Sequence, residues 1–404
     1  MANSRGFALV LVLSLLAILV LVTYAISTVG KVSGAISSAA VYQIQARQNA
    51  LSAMQSAIGK LQVYAGPDDR LTGMAGIVGI PISTDSPTRY WTGVWRSDGS
   101  DEVWLVVGNA SPALSTTNYL LLVGENSVGD QGLTKATSSS SREKEWVKVP
   151  VEMVADAAGS VVGHFAYWVG DEGSKISLHV PDDELPNENG APQVSDKLLT
   201  SQTGVWEAVK ASSVTAKQRL VAYEQALSIG ASASQVQEGF HFLTIRARSP
   251  DGSSYVSGRV NINTSSRPLW YSLVSTYNTL TTGAKLSSEA SVARKIADAM
   301  TVGPFASVAD FESSTLLDDA LPSTVTPATF VQTLNGIIAV RSDTFRIRAY
   351  GDAMNPADAD DPNAKPEAVA YCEAIVQRTN QDDPGGHGKK FVVTYFRWLG
   401  PDDI

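Results

Sequence analysis

The chain has little cysteine, histidine and charge. Cys372 is the only cysteine among 404 residues, so no intrachain disulfide and no cysteine-rich zinc or iron–sulfur site can form. The four histidines occur in no HExxH or similar spacing, the pattern typical of one class of zinc enzymes. The net charge is −9, from 31 basic and 40 acidic side chains. Because an acidic chain lacks the basic face that holds nucleic acid phosphates, no nucleic acid partner is expected.

Motifs of nucleophilic and phosphate chemistry are missing as well. The sequence has no G-x-S-x-G elbow, and residues 385–390 hold glycines and lysines without the spacing of a phosphate loop. Asp171 and Glu172 are adjacent on a predicted strand and so point to opposite faces, which favours a structural role near Lys175 over acid/base work. Cys372, within Ala-Tyr-Cys-Glu-Ala, is predicted to be a small buried residue. We therefore expect no enzymatic activity.

A long apolar run opens the chain. No charged residue occurs between Arg5 and Lys31, and every residue of 7–22 is apolar except Ser14. More than twenty uncharged residues are enough to cross a hydrocarbon core about 30 Å thick. Arg5 and the chain's amino group predict a cytoplasmic N-terminus, so the rest of the chain is expected outside the membrane.

Three interpretations of this segment are open. It is a cleavable signal ending at Thr23-Tyr24-Ala25, a plain signal anchor, or a prepilin segment. The third rests on Arg5-Gly6-Phe7, because a basic residue, Gly and then Phe at the start of an apolar run form the prepilin peptidase cut site. Here the chain resembles the type IV pilins and pseudopilins. The resemblance implies a leader of residues 1–6, with Gly6 as its last residue, and a mature, methylated N-terminus at Phe7.

One position departs from most members of that class. Leu11 stands where they carry a Glu that pairs with the amino terminus of the neighbouring subunit. The K-type minor pseudopilins of type II secretion also lack this Glu, which implies a subunit at the filament tip.

The apolar run continues into an amphipathic stem. No proline occurs before Pro67, and Leu51, Met54, Ile58 and Leu61 keep a helical stripe. One transmembrane-plus-stem helix is therefore predicted over residues 7–66, ending near Tyr64.

The remaining residues predict an α+β head. Residues 67–181 are its β-rich first part, residues 182–340 a largely helical insertion with a strand at 258–264, and residues 341–404 antiparallel strands that complete the head. Predicted strands cover residues 90–95, 102–107, 119–123, 146–154, 161–169, 345–349, 368–377 and 391–399. Predicted helices cover residues 194–210, 216–227, 269–280, 288–300 and 327–337. Since residues 345–349 alternate apolar and basic side chains, that strand is expected to be half-buried.

Two internal phrases carry a second resemblance. Residues 167–178, with Asp171, Glu172 and Lys175, are similar to a phrase of the K-type pseudopilins, although Ser177 stands where that family often has Asn. Residues 258–264, with Asn261 and Asn263, are similar to the phrase that precedes their helical insertion. More narrowly, residues 61–72 and 91–95 resemble the verrucomicrobial pilin-like cassette protein A family (Verru_Chthon cassette protein A). That family implies assembly with other pilin-like chains, and no reaction.

Ligand sites are weakly indicated. Five oxygen-bearing side chains in one loop suit calcium, and K-type pseudopilins bind calcium in the head: Asp352, Asp358, Asp360, Asp361 and Asn363. The spacing matches no EF-hand, however, and acidic loops are usually only solvated. Four tryptophans suggest either a carbohydrate platform or, more commonly, core aromatics: Trp91, Trp95, Trp104 and Trp168.

The sequence thus predicts a minor pseudopilin-like subunit that initiates or caps a type II secretion or type IV pilus-like filament. Its expected partners are prepilin peptidase, the bacterial inner membrane and other pilin-like subunits. It is expected to cross that membrane once, with a periplasmic head, and to be extracted into a filament. The alternative is a membrane-anchored enzyme or ligand-binding protein acting outside the membrane.

Overall fold

The structure is a computed structural model of the chain. It describes residues 4–79, 87–108, 110–112, 119–128, 146–177, 223–229, 232–241, 243–244, 259–358 and 364–404.

One helix forms the first part of the chain. Helix α1 (Ser4–Ala65) runs without interruption for 62 residues, about 93 Å at 1.5 Å per residue. No proline interrupts it, and Gly66-Pro67 follows its last residue, so it ends where the sequence predicts. The long N-terminal helix is therefore confirmed.

A five-stranded antiparallel sheet is the centre of the head. Its strands are β6 (Glu152–Ala155), β7 (Val161–Asp171), β12 (Thr344–Ala353), β13 (Ala368–Asp382) and β14 (Lys389–Leu399). The order is β14-β13-β12-β7-β6, so the three C-terminal strands pair with a hairpin from much earlier in the chain. The predicted α+β fold with antiparallel C-terminal strands is confirmed.

Shorter strands surround this sheet. They are β1 (Arg70–Met74), β2 (Thr92–Arg96), β3 (Val103–Trp104), β4 (Tyr119–Val123), β5 (Val147–Pro150), β8 (Ile176–Ser177), β9 (Leu243–Thr244), β10 (Val260–Asn261) and β11 (Ile338–Ala339). The single strand predicted over 146–154 is wrong, because β5 pairs with β4 whereas β6 pairs with β7. At Val151, between β5 and β6, the chain leaves one sheet and enters the other.

The insertion is helical, as predicted, in its described part. Its helices, with the short α2 (Glu125–Val128) before them, are α3 (Ala233–Gly239), α4 (Arg267–Leu280), α5 (Glu289–Ala299), α6 (Val308–Glu312), α7 (Thr315–Ala320) and α8 (Pro327–Thr333). Short 3₁₀ helices lie at Ala75–Val78, Tyr223–Ile229, Pro356–Asp358 and Pro401–Asp403. The helix predicted over 194–210 lies outside the described residues. The helix predicted over 216–227 overlaps the described residues only as the 3₁₀ segment from Tyr223, and the one predicted to Ile337 ends at Thr333.

Strand β12 is buried on both faces, and the expectation of a half-buried strand is wrong. Arg346 and Arg348 lie on the face opposite α1, where acidic side chains from elsewhere in the head enclose them. Period-two alternation predicts the strand correctly, but it does not reveal whether the polar face meets water or buried partners.

Two apolar cores share the sheet. One lies between α1 and the sheet and contains Ala46, Ala50, Ala57, Phe345 and Cys372. The other contains buried residues of the insertion helices and all four of the tryptophans named above. All four tryptophans are buried, so they are core residues rather than a carbohydrate platform.

Candidate functional site: the projecting helix and its junction with the head

The first half of α1 projects from the head. Its apolar side chains are exposed from Phe7 to Val41, and α1 is the one helix in the described part of the chain long and apolar enough to cross a membrane. Exposed apolar surface on this scale is unstable in water and therefore indicates a lipid or protein environment.

The predicted processing residues lie at the start of this helix. Gly6 and Phe7 belong to its first turns, and Leu11 is exposed one turn later. The apolar face around Leu11 has no carboxylate, since α1 contains no Asp or Glu.

The second half of α1 lies directly on the sheet through small residues. Ala46, Ala50, Ala53 and Ala57 are fully buried. The backbone of Ala46 and Ala50 approaches β12 at Gly351, which has no side chain. Alanine and glycine at these positions allow helix and sheet backbones to meet more closely than larger side chains would permit.

Polar side chains fix the position of the helix on the sheet. Asn49 Nδ2 donates to the carbonyl oxygen of Asp352 at 2.7 Å, and Gln45 Nε2 donates to that of Val162 at 3.1 Å. Lys60 Nζ donates to the carbonyl oxygens of Val106 and Gly108 at 2.9 and 2.6 Å. Burial lowers the pKa of Lys60 to about 8, partly offset by the negative charge of Glu152. Stem and head therefore form one body over residues 45–60.

The motif residues at the end of β7 are buried and paired. Asp171 Oδ1 accepts from the backbone amides of Gly173 and Ser174 at 2.7 and 3.1 Å, which closes the turn. Lys175 Nζ lies 2.5 Å from Glu172 Oε1 and donates to the carbonyl oxygen of Phe240 at 2.8 Å. Burial alone would raise the pKa of Glu172, but the charges of Lys175 and Arg346 outweigh it and hold that pKa below its usual value.

The motif asparagines meet the same turn from the insertion. Asn261 Nδ2 donates to Thr72 and Ser342 at 2.9 and 3.0 Å and lies 3.3 Å from Asp171 Oδ2. Asn263 Nδ2 donates to the carbonyl oxygens of Phe305 and Val340 at 3.2 and 3.1 Å. All five motif residues thus belong to one buried junction that joins the sheet, β1 and the insertion.

A buried ionic cluster extends this junction across the sheet, and sequence reasoning missed it. Glu373 accepts from Arg348 Nε at 2.8 Å, Arg346 Nη1 at 3.2 Å and Arg397 Nη2 at 2.9 Å. Arg346 also reaches Glu172 at 3.1 Å and pairs with Glu224 of the insertion. The guanidiniums of Arg346 and Arg348 lie over the Phe240 ring, 4.8 and 4.7 Å from its centre. The one available signal was Glu373 inside an apolar strand.

The calcium candidates are only partly described. Asp360, Asp361 and Asn363 lie outside the described residues, as does the side chain of Asp358. Asp352 is buried, and its carboxylate accepts from the His164 amide at 2.6 Å and from the Tyr350 hydroxyl at 2.7 Å. In the described part of the chain no three His, Cys, Asp or Glu side chains gather as a metal site. Calcium in this loop stays a prediction.

The imidazole of His164 forms an ion pair with Asp352 that depends on pH. Its Nδ1 lies 3.1 Å from Asp352 Oδ2, and this hydrogen bond raises the pKa of His164 against a smaller opposing effect of burial. Because the folded pKa is raised, the pair stabilises the fold below the unfolded pKa of about 6.5. That contribution is lost as pH rises through the folded pKa.

NMR titration of His164 tests this pair. We expect Asp352→Asn to return the His164 pKa toward its ordinary value, and the exposed Asp156→Asn to leave it unchanged. Equal His164 pKa values in the wild-type protein and both variants would contradict this.

Cys372 has no nucleophilic character. It is buried against α1, and burial raises its pKa to about 12, with a smaller contribution from Glu373. The thiol is therefore protonated at neutral pH.

Comparison with known proteins shows similarity at the level of structure and not of sequence. No family model matches the sequence, and no curated protein matches it. A chain in the crystal structure of the GspK–GspI–GspJ complex from the type 2 secretion system of enterotoxigenic Escherichia coli is similar in fold. The identity is 12%, the TM-score is 0.31, and the match covers 59% of this chain and 80% of that chain. At these values the function has to be inferred from the geometry of this chain itself.

Proposed function

We propose that this protein is a structural, pilin-like subunit anchored in the bacterial inner membrane, and not an enzyme. One observation carries the proposal: a single helix is exposed and apolar over its first half and packed on an antiparallel sheet over its second half. An anchor that only tethers a head needs no stem built into the head's core. A subunit that moves out of the membrane with its head needs that continuity.

The dimensions of the helix support the proposed topology. Residues 7–30 span about 36 Å at 1.5 Å per residue, enough for a hydrocarbon core of about 30 Å. Lys31 follows at the outer boundary and Arg5 precedes at the inner one. The head then lies in the periplasm, and the exposed residues 32–41 lie between head and membrane.

The exposed helix also supports assembly with other subunits. Between helices in lipid, packing of small side chains drives association more than hydrophobicity does. Gly30 and Gly34 lie on the exposed segment with open space around them. Leu11 offers no carboxylate to a neighbour's amino terminus, so we propose that this subunit initiates or caps a filament and depends on partners to enter it.

Processing at the leader tests this function. When the full chain is produced together with a prepilin peptidase, we expect intact mass and N-terminal sequencing to show a mature chain that begins at methylated Phe7. Gly6→Leu should stay uncut, because the peptidase requires the small residue before the cut. A chain that stays whole, or one that begins after Ala25, would support the anchored or secreted alternatives instead.

A further inference from the structure

The two flanks of α1 on the sheet are unequal. On the flank toward β7, residues 105–108 of the same chain cover the helix: Lys60 binds Val106 and Gly108, and Leu105 and Val107 join the core beneath the helix. On the flank toward β14, no described strand pairs beyond β14, which is the edge strand of the sheet.

Apolar side chains remain exposed along this second flank. Arg47 and Gln62 identify the side of the helix that faces β14, since the Arg47 guanidinium lies 5.3 Å from the Trp398 ring centre and Gln62 binds Lys389 and Phe391. Leu51 follows Arg47 by one turn and Ile44 precedes it by one turn. We call the following residues the bare flank, in which the apolar members are between 38% and 58% exposed: Ile44, Arg47, Leu51, Val393, Phe396 and Trp398.

The bare flank lies where a second helix would pack at the usual spacing from α1. Packed helices lie 8–10 Å apart, roughly two strand spacings of about 4.8 Å. Helix α1 lies over β12 and β13, so a second helix on the same face of the sheet would lie over β14 and its edge. There it would cover Leu51 on one side and the edge-to-face pair of Phe396 and Trp398, whose ring centres are 5.5 Å apart, on the other.

Charge decides which helix fits. Helix α1 carries Arg5, Lys31, Arg47 and Lys60 and no acidic residue in 62 positions. Two copies side by side would bring only positive charges together, which disfavours a second copy. Arg47 forms no ion pair with any residue that the structure describes, and it lies in the middle of the bare flank.

We infer that the bare flank docks the membrane-anchored helix of a different subunit, running beside α1, with a carboxylate of that helix facing Arg47. This inference rests on the proposed function, because only a co-anchored subunit presents its helix parallel to α1 at this height above the membrane. The apolar residues supply buried area, and the single ion pair sets register and selects the partner.

Photo-cross-linking in cells that naturally produce the protein tests the inference. A photo-reactive phenylalanine analogue is placed at Leu51 or, as the matched control, at Ser52, which is also exposed but lies about 100° further round the helix. We expect an adduct from Leu51 whose partner peptide, identified by mass spectrometry, is an anchored helix with an Asp or Glu, and about tenfold less adduct from Ser52.

A charge exchange then tests the ion pair. Arg47→Glu should reduce the Leu51 adduct about tenfold, and a Lys in place of the partner's identified carboxylate should restore it. Arg47→Lys should keep the adduct, which separates charge from a loss of folding. Failure of the exchange to restore the adduct would overturn the ion pair.

The remaining outcomes also decide the matter. An adduct to another copy of this chain, to a segment of the same chain or to an extended strand of a partner would overturn the inference, and so would equal adducts at Leu51 and Ser52 or none at all. The N-terminus is sequenced in the same samples. A processed leader without the Leu51 adduct rejects the docking alone, whereas an unprocessed leader rejects the proposed function.

Discussion

Glu373→Gln is expected to lower the free energy of unfolding of the head by about 3 to 5 kcal/mol, the range for breaking a buried ion pair. Glu373 is fully buried and accepts from Arg346, Arg348 and Arg397. The amide keeps the shape of the side chain and removes its charge. Arg346 and Arg397 then keep Glu224, and Arg346 also keeps Glu172, but Arg348 keeps no paired carboxylate among the residues that the structure describes. Positive charge is therefore left uncompensated inside the protein.

The effect should depend on pH with a definite sign. Burial alone would raise the pKa of Glu373, but Arg346, Arg348 and Arg397 hold it far below its usual value. A depressed folded pKa gives a stabilising contribution that is present above the unfolded pKa of about 4.3 and is lost as pH falls through the folded pKa. The difference between the wild-type protein and Glu373→Gln should therefore be full at pH 7 and shrink in strong acid.

Urea unfolding in detergent, followed by tryptophan fluorescence, measures this difference, because the buried tryptophans report on the head. Asp382→Asn is the control: it removes the exposed ion pair with Lys389, whose atoms lie 2.7 Å apart, and should cost at most about 1 kcal/mol. Equal losses in the two variants would mean that the buried cluster contributes no more than a surface pair.

Local sequence signals predicted the elements well. Three local features specify α1: the apolar run, the absence of proline, and Gly66-Pro67 after its last residue. All three lie in the helix or next to it, so its bounds can be predicted without any distant part of the chain. The strands that became β12, β13 and β14 were likewise visible in short alternating or apolar runs.

What the sequence did not reveal depends on residues far apart in the chain. Arg346 alternates with apolar neighbours, as a solvent-facing residue of a strand would. In the structure it pairs with Glu172 and Glu224, which lie more than a hundred residues earlier in the chain. Likewise Asp171 and Asn261 belong to separate motifs 90 residues apart, and only the fold places their side chains 3.3 Å from each other. A single sequence contains no signal for such pairings, because burial of a charge is decided by where its partners fold.

Gly351→Ala is expected to separate the stem from the head. A Cβ at this position would lie 2.5 Å from the carbonyl oxygen of Ala46 and closer still to the amide nitrogen of Ala50. Both atoms belong to the helix backbone, which cannot turn aside as a long side chain could. Since overpacking a core typically costs 1–3 kcal/mol where side chains can adjust, we expect a loss of about 3 kcal/mol or more here.

The same substitution at an exposed glycine of α1 offers a control. Gly59 is exposed in α1 with nothing within 4 Å of an added Cβ, so Gly59→Ala should be neutral or stabilise the helix by up to about 1 kcal/mol. Limited proteolysis resolves where stability is lost, since the contact of Gly351 lies between α1 and β12. In Gly351→Ala the peptide bonds near Arg47 and Lys60 should become sensitive to trypsin while the head resists.

That pattern would also bear on function. Under the proposed function, the helix draws the head out of the membrane, and this contact holds the head in a fixed position on the helix. A loosened stem should therefore reduce entry into an assembly even when the leader is processed normally. If Gly351→Ala left both trypsin resistance and assembly unchanged, the close approach of helix and sheet would be tolerant of an extra methyl group. The small residues along α1 would then need another explanation than the closeness of the two backbones.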